Sequence, residues 1–186
     1  MVATETPSVD IGWQALDFDL PGIDGKQYRL SEIKGSAGTV VMFICNHCPY
    51  VQAIADRIAR DCEELRSYDI ASIAVMPNDT DAYSADSLPH MKEFAAKYNF
   101  GFPYVVDETQ AVARAYDAVC TPDFFGFNGD LQLQYRGRLD SSRNQPAAPD
   151  ARRELFEAML EIGRAGKGPA QQSASIGCSI KWRAAA

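Results

Sequence analysis

The spacing of apolar positions changes along this 186-residue chain, and each change predicts an element. Trp13, Leu16, Phe18 and Leu20 stand among polar neighbours, as in a strand packed on one face. Pro21-Gly22 and Asp24-Gly25 are turn signals, and Tyr28-Arg29-Leu30 supplies the return arm of a hairpin. Residues 39–44 form an unbroken apolar, β-branched run, the pattern of a strand buried on both faces. Val51, Ile54, Ile58 and Leu65 recur at helical spacing, which predicts a helix over 49–66. Residues 69–76 repeat the buried-strand pattern, and Pro77-Asn78-Asp79 ends it. Asp86 or Ser87 caps a further helix with Pro89 in its first turn and Met91, Phe94, Ala95 and Tyr98 on its apolar face. A strand over 102–106 and a helix over 109–116 follow. Strands at 124–127 and 131–138 are joined by Asn128-Gly129, which favours a tight hairpin. Leu155, Met159 and Ile162 line a last amphipathic helix over 150–162.

Strands alternating with helices, closed by a hairpin, predict an α/β fold with a central mixed sheet flanked by helices. The hairpin near residue 25 is an N-terminal extension of it. The length fits one domain, assigned to 1–165. Residues 163–175 are rich in Gly, Pro, Gln, Ser and Ala, so 166–186 reads as a loose C-terminal tail. Its apolar end, 176–182, is able to dock back.

Composition narrows the function classes. A hydrophobic fraction of 46% and a charged fraction of 23% are those of a soluble globular protein. A net charge of −7 argues against nucleic-acid partners, which demand clustered Lys and Arg, and against an anionic membrane surface. The N-terminus has no basic segment followed by an apolar one, and 39–44 is too short to span a bilayer. A cytoplasmic address is the expectation. Five cysteines, an odd number, do not suggest a disulfide framework. In a reducing compartment a cysteine pair points to catalysis or metal binding instead.

Cys45-Asn46-His47-Cys48 is a C-x-x-C at a strand-to-helix junction. Unpaired N–H groups and the positive end of the helix dipole stabilise a thiolate there, and the thiolate is the reactive form. His47, as an imidazolium, would lower the thiol pKa further. The expected reaction is dithiol–disulfide exchange, with Cys45 attacking a substrate disulfide and Cys48 resolving the mixed disulfide. A zinc site would need a second pair of ligands; the one other histidine, His90, has no Cys or His near it, so no metal and no cofactor are expected. Cys120-Thr121-Pro122-Asp123 precedes a strand, and a cis Thr121–Pro122 bond is predicted. Cys120 and Cys178 are candidate accessory redox residues. Cys178 would swing in on its linker, or its segment would dock. Cys62 reads as core or surface filler, and Asn78 and Asp79 as capping or turn residues, or as a border of the site at the carboxyl end of the sheet.

The run Met42 to Val51 (MFICNHCPYV) resembles a bacterial group of thioredoxin family proteins within the redoxin and AhpC/TSA superfamily. Residues 119–125, 135–140 and 177–182 match it too, so the resemblance spans nearly the whole chain. It implies a thioredoxin-like fold in which a cis-Pro loop faces the cysteines and Thr121 pairs its backbone with a substrate peptide. Expected partners are disulfide- or dithiol-containing proteins or small thiols, and an external reductant. A peroxiredoxin-like thiol peroxidase is the alternative, because Cys48-Pro49 matches its reactive Cys-Pro. Cys45 and Val41 stand where that pattern has Thr or Ser and Pro. Arg136, Arg138 and Arg143 are candidate activating arginines, each otherwise read as a solvated strand end. A non-catalytic binding module on the same fold is a third reading.

Overall fold

The computed structural model describes residues 3–7, 10–148 and 150–184. Its frame is a five-stranded mixed sheet. The β-branched run falls in its middle as predicted, because both faces of that strand are covered. Three short strands precede it: β1 (Ala3–Glu5), and a hairpin of β2 (Asp19–Pro21) with β3 (Gln27–Arg29), followed by the one-turn helix α1 (Leu30–Ile33). The central strand β4 (Gly38–Phe43) is buried at every position. Next come α2 (Pro49–Gln52), α3 (Ala55–Arg66), β5 (Ile70–Met76), α4 (Leu88–Lys97), β6 (Tyr104–Val106) and α5 (Ala111–Ala115). The chain closes with β7 (Cys120–Thr121), β8 (Asp123–Asn128), β9 (Leu133–Gly137), α6 (Glu154–Ala165) and β10 (Ile176–Ser179). The main sheet runs β6-β5-β4-β8-β9; β5 is parallel to β4 and β6, and β8 antiparallel to β4 and β9.

The core lies on both faces of this sheet. On one, Met42, Ile44, Ile58, Leu65, Met91 and Met159 pack beneath α3, α4 and α6. On the other, Phe43, Val75, Tyr116, Phe125 and Phe127 pack with Phe18 and Leu30 of the N-terminal segment. No helix among the described residues is long and apolar enough to cross a membrane.

Three local expectations differ from what is observed. The helix over 49–66 is broken: Ile54, at φ −125°, separates α2 from α3. Arg57 Nη1 donates to the Ala53 carbonyl at the break, which satisfies a group the interruption would leave free. The turn after β8 is wider than two residues. The Asn128 side-chain oxygen accepts from the backbone N–H of Asp130 and of Gln132, and Leu131 takes a φ of 60°. Gly129 is needed there for space: a Cβ would meet the Ser36 carbonyl oxygen at 2.4 Å. Arg136 is not a solvated strand end. It is buried with a bidentate pair to Asp123, at 2.8 and 3.3 Å, because the tail segment covers its strand through Gln172 and Ser173.

The tail region carries β10, the middle strand of a second, three-stranded sheet in the order β1-β10-β7. Both pairings are antiparallel. Ala3 faces Cys178 on one edge, and Thr121 faces Cys178 on the other.

Candidate active site

The site forms where β4 ends and α2 begins. Cys45 follows the last strand residues, and Cys48 is the N-cap of α2 with Pro49 at its first position. A missing N–H is no loss at that position, and within α2 it is the Val51 N–H that acts on the Cys48 sulfur. The Thr121–Pro122 peptide bond is cis, as predicted, and its loop faces both cysteines. Cys45 Sγ lies 3.2 Å from Thr121 Oγ1, and the neutral Cys48 thiol donates to the Thr121 carbonyl at 3.1 Å. All five cysteines are unpaired. Cys45, Cys48 and Cys178 are 1%, 0% and 3% exposed.

The two thiols of the motif are electrostatically unequal. The Cys48 thiol is pulled down to about 5. The Cys45 thiol donating to its sulfur is the main cause; burial opposes, and the Cys178 thiol and the backbone N–H groups of Val51 and Cys178 add to the lowering. Cys45 moves the opposite way, well above the usual thiol range, because it donates to Cys48, is buried, and lies near Asp86. Cys178 is pushed up to about 12 by burial and by donating to Cys48. Within the coupled pair the charge therefore favours Cys48, with two thiols turned toward it, while the Thr121 carbonyl 3.1 Å away favours the protonated form.

Asn46 and His47 are held by Asp86. Its fully buried carboxylate accepts the backbone N–H of Asn46 at 2.8 Å and of His47 at 3.2 Å, and Asn78 Nδ2 at 2.8 Å. His47 Nδ1 lies 2.6 Å from the same oxygen that accepts Asn78 Nδ2, the backbone pair being on the other, and the ring stacks on Tyr83 with centroids 5.5 Å apart. Burial alone would push Asp86 up; the hydrogen bonds from His47 and Asn78 outweigh it and hold the carboxyl below its ordinary value. His47 is raised, chiefly by its hydrogen bond to Asp86, and also by the charge on Cys48. The Asn46 side chain is fixed by Tyr104 Oη and the Ala85 carbonyl, and its backbone carbonyl accepts from Gln52.

Sequence reasoning missed the roles of two of these residues. Of the two residues expected to cap the following helix, Ser87 stands at the N-cap, and Asp86 is turned to the motif instead. Asn78, read as a capping or turn residue or a border of the site, links Asp86 to the backbone N–H of Lys181, beyond β10. Cys62 is buried away from the motif, its thiol pushed up to about 12 by burial. Cys120 turns its sulfur toward the Pro122 carbonyl at 3.8 Å, and burial raises it strongly. Donor atoms of Cys45, His47 and Asp86 lie within 4.8 Å of one another, which makes this the group able to hold a metal ion among the described residues. Beside the cis-proline a cavity of about 190 Å³ opens, lined by Tyr50, Ile54, Pro122, Leu139, Arg143 and Ser175 among others.

A buried strand ending in two cysteines, a helix that caps one of them, and a cis-proline opposite define a thioredoxin-like redoxin. The AhpC/TSA family profile matches residues 11–137, and the chain belongs to that family. No curated protein sequence matches it. Among solved structures it is similar to an uncharacterized conserved protein from Geobacillus kaustophilus, at 42% identity and a TM-score of 0.93, covering 100% of this chain and 99% of that one. A hypothetical protein from Sinorhizobium meliloti matches at 35% identity and a TM-score of 0.90, covering 98% and 100%. A secreted Mycobacterium tuberculosis disulfide oxidoreductase shares the fold, at 17% identity and a TM-score of 0.59 over 77% and 95%.

Proposed function

We propose that the chain is a thiol–disulfide oxidoreductase whose Cys45–Cys48 pair exchanges with protein or small-molecule disulfides. The observation that carries this reading is the Cys48 sulfur: an N-cap thiol pulled down to about 5 beside a protonated second thiol. Cys48 is then the attacking thiolate and Cys45 the resolving thiol, the reverse of the roles expected from the sequence. Cys48 attacks one sulfur of the substrate disulfide and expels the other as a thiolate. Cys45 then attacks Cys48 and releases the second substrate thiol, leaving a Cys45–Cys48 disulfide for an external reductant. His47 tunes the pair, since the Cys48 charge raises His47 and linkage makes the imidazolium favour that charge in turn. Thr121 and Pro122 form the wall against which the sulfurs react. Five unpaired cysteines fit a reducing, cytoplasmic setting.

Reduction of insulin with dithiothreitol tests the reading. Wild type is expected to turn over, Cys48→Ser to be inactive, and Cys45→Ser to react with the substrate disulfide at Cys48. No turnover by wild type overturns exchange; a mixed disulfide on Cys45 in Cys48→Ser restores the sequence-derived roles.

Cys48-Pro49, with the charge on Cys48, favours one second reading, a thiol peroxidase. It requires Cys48-dependent consumption of hydrogen peroxide at micromolar levels. Of the candidate activating arginines, Arg136 is held by Asp123 and Arg138 by Glu154.

A further inference from the structure

We infer that Cys178 is a third redox-active sulfur of this centre, and that the protein forms a Cys48–Cys178 disulfide during its cycle. The inference rests on the exchange reading above and adds a partner within the chain. A mobile arm is not required. β10 is paired on both edges, to β1 and to β7, so Cys178 is held in register opposite Thr121. The backbone on either side is anchored as well. Ser175 Oγ donates to the Pro122 carbonyl at 2.7 Å, and Ile180 N–H to the Val119 carbonyl at 3.1 Å. Gly177 sets the distance: a Cβ there would sit 1.9 Å from the Thr121 carbonyl oxygen, so only glycine lets the strand approach this closely.

Cys178 is paired with Thr121, whose carbonyl oxygen lies 3.1 Å from Cys48 Sγ, and from that place its thiol and backbone N–H act on the Cys48 charge. No other thiol outside the C-x-x-C is so placed: Cys62 lies in α3, and Cys120 faces Pro122. β10 also fills the strand edge beside the sulfurs. The edge on which the resemblance would pair a substrate peptide, at Thr121, is taken by β10, which corrects that expectation; a substrate disulfide reaches the sulfurs without strand addition there. Cys178 stands where a cysteine of such a peptide would be.

The step balances without a further oxidant. Cys48 thiolate attacks a small disulfide, the Cys48–S bond forms, and the first substrate thiolate leaves with the electron pair of the broken S–S bond. The mixed disulfide has no charge on Cys48, which removes one of the causes that keep Cys178 protonated. Cys178 gives up its proton and attacks Cys48 Sγ. The Cys48–substrate bond breaks, and the second substrate thiolate leaves. The two protein sulfurs have lost two electrons and the substrate disulfide has gained them; the Cys178 proton ends on one substrate thiolate, and the other takes its proton from solvent. Attack of Cys45 on Cys48 then converts the 48–178 bond to 45–48 and returns the Cys178 thiol, with no net oxidation.

Treatment of the full chain with oxidised glutathione, alkylation of the remaining thiols and mass mapping of non-reduced peptides tests this. A Cys48–Cys178 peptide pair is expected in Cys45→Ser as the main species, and in wild type beside Cys45–Cys48. If wild type shows Cys45–Cys48 alone and Cys45→Ser stops at a Cys48–glutathione mixed disulfide, the inference is overturned while the exchange reading stands. If wild type forms neither protein disulfide, both fall. The wild-type measurement decides the matter even if Cys45→Ser folds poorly.

Discussion

Replacing Asp86 with asparagine keeps its shape and removes its charge. The carboxylate accepts four hydrogen bonds, two on each oxygen: Asn46 N–H at 2.8 Å and His47 N–H at 3.2 Å on one, His47 Nδ1 at 2.6 Å and Asn78 Nδ2 at 2.8 Å on the other. Asparagine retains one oxygen for the backbone pair and turns an amide NH2 toward the other two. His47 can answer by offering a bare Nδ1, but Asn78 Nδ2 then faces a donor. At least one charge-assisted hydrogen bond, about 1.5–3 kcal/mol, is lost, and a buried donor is stranded at about 1–3 kcal/mol more. The expected loss of stability is therefore about 3–5 kcal/mol, the two contributions overlapping in part. Its pH dependence follows from the direction of each shift. His47 is raised, so its contribution is complete below the unfolded value of ~6.5 and fades as pH rises through the higher folded value. Asp86 is lowered, so its contribution is complete above the unfolded value of ~3.9 and fades as pH falls through the lower folded value. The loss should be largest between these unfolded values and smaller about two units above ~6.5. Urea unfolding of the reduced protein at several pH values, with His47 followed by NMR, measures both. The reasoning is refuted if the loss is the same inside and above the window, or if His47 titrates at the same pH in variant and wild type.

Two further outcomes are expected. Gly177→Ala forces a backbone shift in β10, because the new Cβ meets Thr121 backbone atoms rather than a side chain. It should cost at least ~1–3 kcal/mol. It should also move the Cys48 titration, followed by thiolate absorbance, upward from about 5, as the N–H of residue 178 withdraws; an unmoved titration would count against β10 as a source of that charge stabilisation. Arg136→Met leaves the Asp123 carboxylate buried without its cation, for a loss of about 3–5 kcal/mol in thermal or urea unfolding. Adding Asp123→Asn to it should recover much of that loss, and a stable single variant would refute the role given to the pair.

The frame of this fold is legible in the sequence because it rests on local signals. The run at 39–44 predicts a strand buried on both faces, and β4 is that strand within one residue at each end. Thr121-Pro122 before a strand predicts the cis bond, and C-x-x-C after a buried strand predicts a thiol at a helix start. What escapes is set by partners far away in the chain. Asp86 has the sequence context of a helix cap, and nothing local reveals that its carboxylate turns to residues about forty positions earlier. Arg136 reads as exposed because the alternation around it is that of an edge strand; the cover comes from residues near 172. β10 is four residues long and contains a glycine, so it lacks the alternation of a strand and owes its form to β1 and β7.

The three-stranded sheet carries a consequence for synthesis. It joins residues 3–5, 120–121 and 176–179, among the longest sequence separations in the fold. Pairings of that kind form late, since the closure entropy of the long loop must be met first. A nascent chain that has already folded β4 and α2 holds Cys45 and Cys48 together, but lacks the thiol and N–H of residue 178. The donor set that holds charge on Cys48 is completed only when the last strand has left the ribosome and docked. The share of that stabilisation owed to residue 178 is thereby deferred to the end of folding, while the larger share, from the Cys45 thiol, is in place before it.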